Sequence, residues 1–66
     1  MTQQEVQDYL QSVRSMVKAY CEQNQLTTSE FAKLMGYHHQ TMLRFMRGKP
    51  MRLERVNQVE ERIRNG

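Results

Sequence analysis

Gln40, Arg44 and Arg47 are spaced by four and three residues within HHQTMLRFMRG, residues 38–48. Side chains at those intervals share one face of a helix. With residues placed at steps of about 100°, Phe45 and Met46 fall within about 60° of Met42. Gln40, Arg44 and Arg47 gather within about 40° of the opposite pole, with His39 and Leu43 flanking one side and Thr41 the other. A helix that packs through Met42, Phe45 and Met46 therefore turns Gln40, Arg44 and Arg47 outward. The Gln amide makes a bidentate match to an adenine edge, and the Arg guanidinium matches guanine or grips phosphate. Such a face suits the major groove of duplex DNA, with Gln40, Arg44 and the flanking His39 as candidate base readers.

The segment just upstream, TTSEFAKLMGY at 27–37, contains what is needed to hold that helix in place. Thr27 with Glu30 three residues on forms a capping-box pattern that starts a helix over about 28–35. Phe31, Ala32, Leu34 and Met35 supply its apolar side, and the small Ala32 admits a close neighbour. Gly36 falls where a helix ends in a left-handed residue, which costs Gly nothing sterically. The second helix then runs over about 39–47 and stops at Gly48. A helix, a short turn with Gly and a second helix form the helix-turn-helix unit that places its second helix in the major groove.

Around this pair the chain predicts two more helices. Over about 3–23, Val6, Tyr9, Leu10, Val13, Met16, Val17, Tyr20 and Cys21 fall inside an arc of about 140°, a core-facing stripe, and Asn24 is the expected left-handed exit. Gly48-Lys49-Pro50 is a break. Over about 52–64, Leu53, Val56, Val59 and Ile63 lie on one side. No run has strand period, and no repeat is present. The expected fold is all-α: one domain, 1–66, as a small bundle of four helices with the helix-turn-helix at its centre. Met16, Met35 and Met42 read as core filler, whereas Met46 and Met51 suit either the core or a subunit contact.

Composition narrows the function classes. The net charge is only +3, but residues 1–30 balance to −2 and residues 31–66 to +5, an asymmetry that points to a polyanion partner. No segment approaches the roughly 20 apolar residues of a membrane span, so no membrane partner is expected. The N-terminus lacks a signal-peptide core, and a cytoplasmic location follows as the expectation. Cys21 is the single cysteine, read as a small buried apolar filler. No CxxC or CxxH pattern supports a metal, and the adjacent His38 and His39 are expected to diverge and chelate poorly. There is no cofactor motif, no nucleophile–base constellation and no phosphate-binding glycine loop, so an enzyme is not expected. A chain of this size buries only about 60% of the surface that its unfolded form exposes, which favours self-association.

From about Val13 to Val59 the chain resembles the lambda repressor and Cro-like (Xre-type) helix-turn-helix proteins of phages, plasmids and bacteria. The carriers are Leu26-Thr27, Glu30-Phe31-Ala32, Leu34, Gly36-Tyr37, Met42, Phe45 and Arg47-Gly48-Lys49. The position that caps the reading helix in that family is Ser or Asn, and here it is His38. The resemblance implies a sequence-specific transcription regulator, a Cro-like repressor acting by promoter occupancy as a homodimer on an inverted repeat. Bound to double-stranded DNA in the bacterial nucleoid, such a dimer blocks RNA polymerase or recruits it, according to the operator's position. By the same resemblance Thr28, Arg47 and Lys49 hold phosphates, joined by Arg52 and by Thr41, which alternatively meets a thymine methyl. No small-molecule ligand is expected, since no sensor domain follows the fourth helix.

The first helix starts roughly two turns earlier than the family leads one to expect. Val6, Tyr9 and Leu10 there are either extra cover for the fourth helix or a dimer seam. The other candidate dimer contact is the fourth helix itself, through Val59 and Ile63, which is favoured because it follows the reading helix directly. Two further readings stay open: a DNA-bending or recombination accessory factor on the same fold, and a helical protein-interaction module that binds no nucleic acid.

Overall fold

The computed structural model describes residues 2–66 as four helices: α1 (Gln3–Asn24), α2 (Thr28–Met35), α3 (His39–Met46) and α4 (Leu53–Asn65). No strand occurs among the described residues. Both α1 and α2 start with reciprocal capping boxes. Glu30 N–H donates to Thr27 Oγ1 at 3.1 Å while Thr27 N–H donates to Glu30 Oε1 at 2.8 Å. Thr2 and Glu5 repeat the arrangement at the start of α1. Each box fills two of the backbone donors that a helix start leaves unpaired.

α1 packs against α4, and α2 against α3. At about 1.5 Å per residue its 22 residues span about 33 Å, so α1 sets the long dimension of a 34 × 23 × 17 Å molecule. One core joins all four helices: Leu10, Val13, Val17 and Cys21 from α1, Phe31 and Ala32 from α2, Met42 and Phe45 from α3, Val56 and Val59 from α4. Tyr20 meets Phe31 edge-on at 5.5 Å between ring centres, which ties α1 to α2.

Several expectations need correcting. The left-handed exit of α1 is Gln25 (φ 55°), not Asn24. The Asn24 amide donates back to Tyr20 O at 2.8 Å and keeps that residue helical, so the reversal falls one residue later. Leu34 is 49% exposed. The buried face of α2 centres between Phe31 and Ala32, and Leu34 lies about 110° from that bisector at helical spacing. Leu53 is 44% exposed because it is the first residue of α4, with no preceding turn to cover it. The N-terminal residues are core cover: Leu10 is buried, Val6 and Tyr9 pack on the core, and the Tyr9 hydroxyl donates to Asn57 Oδ1 (2.6 Å) and Glu60 Oε1 (3.1 Å) of α4. Val59 is fully enclosed in the subunit's own core, so it is not available to a partner, and only Ile63 of that pair is partly exposed.

Candidate nucleic-acid interface

Burial along α3 follows the helical period. Met42 and Phe45 are fully buried, Met46, Thr41 and Leu43 are half-buried, and His39, Gln40 and Arg44 are exposed. Arg47, the residue that ends α3, is exposed as well, so the structure brings Gln40, Arg44 and Arg47 onto one outer face. Lys49 and Arg52 are exposed in the segment between α3 and α4, and Thr28 is half-buried at the first position of α2. The one ion pair among the described residues is Arg64–Glu60 at 3.2 Å, within α4. Among the described residues no carboxylate lies within ion-pair distance of Arg44, Arg47, Lys49 or Arg52.

Two features hold the start of α3. The turn from α2 is three residues, Gly36-Tyr37-His38, with Gly36 left-handed at φ 75°. The Tyr37 hydroxyl donates to Gln58 Oε1 and, at 3.4 Å, to Arg55 O, fastening the turn to α4. Burial, ahead of the Glu54 charge and against that of Arg55, pushes this phenol above its ordinary pKa. His38 caps α3 by accepting the Gln40 N–H at Nδ1, 3.2 Å away. The His38 and His39 rings do not diverge: they stack at 4.7 Å, inclined by 23°. His38 lies before the helix in extended backbone (φ −65°, ψ 135°), so the angular separation of successive helical residues does not apply to the pair.

The end of α3 is held by a residue that sequence reasoning passed over. Arg14 of α1 is 7% exposed and donates from Nε to Phe45 O at 2.5 Å and from Nη2 to Lys49 O at 3.0 Å. Its third acceptor is Gln11 Oε1 at 3.3 Å, and its guanidinium sits 4.7 Å from the centre of the Phe45 ring. Arg14 lies only about 20° beyond the apolar arc of α1 at helical spacing, which is the signal that could have found it. A shallow hollow beside it is lined by Arg14, Lys18 and Arg47 with no carboxylate.

Cys21 is buried, and its thiol is raised above the ordinary value by that burial and then by the Glu30 charge, as suits a packed rather than a reactive thiol. Comparison with models of known protein families, with curated proteins and with solved structures returns no match.

Proposed function

We propose that the chain is a sequence-specific double-stranded-DNA-binding regulator of helix-turn-helix type, α3 entering the major groove. The observation that carries this reading is the outer face of α3. An amide and two guanidiniums are exposed there together, with no carboxylate of the described residues within ion-pair distance, on a helix anchored by the buried Met42 and Phe45. Gln40 and Arg44, with His39 at the flank, address base edges. Arg47, Lys49, Arg52, Thr28 and Thr41 hold the flanking phosphates, which fix register without reading sequence.

A helix of this length reaches only a few base pairs, so discrimination in a genome calls for a symmetric homodimer on an inverted repeat. With Val59 enclosed, the dimer contact falls to the C-terminal end of α4 around the half-buried Ile63. The bound dimer acts by occupying a promoter of bacterial or phage DNA in the cytoplasm, excluding or recruiting RNA polymerase.

Salt dependence tests the reading. If each subunit neutralises about four phosphates, a dimer covers about eight and log affinity falls against log salt with a slope near −7. A slope shallower than about −2 refutes groove binding. Arg47→Ala and Lys49→Ala should weaken specific and random duplexes alike.

A further inference from the structure

Arg14 is the one buried charged side chain among the described residues, and nothing in the surface proposed above uses it. Removing a guanidinium from water is costly unless its donors are filled and its charge is compensated. No carboxylate lies within ion-pair distance of it among the described residues. Compensation comes instead from the carbonyl end of α3, where the helix dipole is negative and the last carbonyls lack intrahelical partners, and from the face of the Phe45 ring.

The two carbonyls that Arg14 holds, Phe45 O and Lys49 O, bracket the segment that contains Arg47, Gly48 and Lys49. That segment reverses through Gly48 at φ 102°, a conformation that places few limits on a glycine. Its other fastenings are local backbone bonds: Arg47 N–H to Leu43 O and Arg44 O at 3.1 Å each, Gly48 N–H to Phe45 O at 3.1 Å and Lys49 N–H to Arg44 O at 3.0 Å. Arg14 is therefore a planar fork reaching from the longest helix across both ends of a turn otherwise held by local bonds alone. A Lys at this position has a single ammonium and lacks the planar fork that bonds two carbonyls at once.

We propose that Arg14 is a positioning residue for DNA binding: by clamping Phe45 O and Lys49 O it fixes where Arg47 and Lys49 project, without touching DNA itself. The role rests on the DNA-binding reading above. It predicts that Arg14→Lys and Arg14→Met, measured where circular dichroism shows each fully folded, lose affinity for all duplexes. Their salt slope should fall by about one for each phosphate contact released, so by about four for a dimer that loses the Arg47 and Lys49 contacts of both subunits. In the same variants, NMR order at the amides of Gly48 and Lys49 should drop while that of α2 holds. A purely structural residue would lower the melting temperature and leave slope, affinity and turn order at parent values, and that result overturns the proposal.

Should neither variant fold, Gln11→Ala removes one of the three acceptors from an exposed position. It should speed hydrogen exchange of the Arg14 Nη1–H protons that Gln11 accepts and weaken duplex binding, and parent values for both overturn the clamp. A parent protein that binds no duplex DNA refutes the proposed function and the positioning role together. A parent that binds, with folded Arg14 variants matching it, refutes the positioning role alone.

Discussion

Replacing Arg52 by Ser should move stability and DNA binding in opposite directions. Arg52 occupies the cap position of α4 with extended backbone (φ −54°, ψ 134°), yet its side chain makes no capping hydrogen bond. A Ser hydroxyl in that geometry reaches the open N–H groups of the first turn, a gain of about 1 kcal/mol. Removing a cation from the positive end of the helix dipole adds a few tenths of a kcal/mol at an exposed site (roughly 0.3). For a domain of this size each kcal/mol raises the melting temperature by about 4–8 °C, so Arg52→Ser should melt roughly 5–10 °C higher. If Arg52 holds a phosphate, the same change removes one contact per subunit and makes the salt slope shallower by about 0.9 per subunit. Thermal melts followed by circular dichroism and duplex binding followed by fluorescence anisotropy over a salt series measure the two effects. A melting temperature unchanged or lowered refutes the capping argument, and an unchanged salt slope removes Arg52 from the phosphate set.

Two further outcomes are expected. Gln25→Gly, at the one non-glycine residue of positive φ among the described residues, should stabilise the fold by about 1 kcal/mol, seen as a higher urea midpoint at unchanged slope. A lower midpoint would show that the Gln25 side chain contributes more than its backbone strain costs. The Tyr9 phenol is raised above 10.0 by burial, then by its hydrogen bond to Glu60 and that residue's charge, against a smaller opposing effect of Arg64. The folded state therefore holds this proton more tightly than the unfolded chain. The stability it contributes is complete below about pH 10 and is lost as pH rises through and beyond that value. Tyr9→Phe should cost about 1 kcal/mol at neutral pH and flatten the alkaline loss, and an equally steep loss in the variant would assign that loss to other groups.

The helices were legible where local chemistry decides them. Thr27 with Glu30, Gly36, and the apolar period of α1 and α4 placed each element within a residue or two of its position. The outer face of α3 was legible because an eight-residue helix with three apolar anchors has only one way to turn. What escaped depended on contacts distant in the chain or on competition between side chains. Arg14 finds its acceptors 31 and 35 residues away, and a stripe drawn from apolar residues alone excludes an arginine. Asn24 has the composition of a left-handed exit, but its amide found Tyr20 O first. In α2 the apolar residues Phe31, Ala32, Leu34 and Met35 outnumber what one face can bury, and close packing on α3 left Leu34 outside. Val59 and Ile63 share one side of α4, yet the first is fully enclosed in the core and the second, one turn nearer the helix end, is only half-buried.

Whether α3 reads base edges is tested most directly by selecting bound duplexes from a random pool with the parent protein and with Arg44→Ala. The parent should enrich an inverted repeat whose half-site centres lie about one helical turn, roughly 34 Å, apart. Arg44→Ala should lose about 1–3 kcal/mol on that site and relax the preference at one position of each half-site, a guanine. Failure of the parent to enrich any sequence, or enrichment of the same sequence with undiminished preference by Arg44→Ala, would contradict base reading by this face.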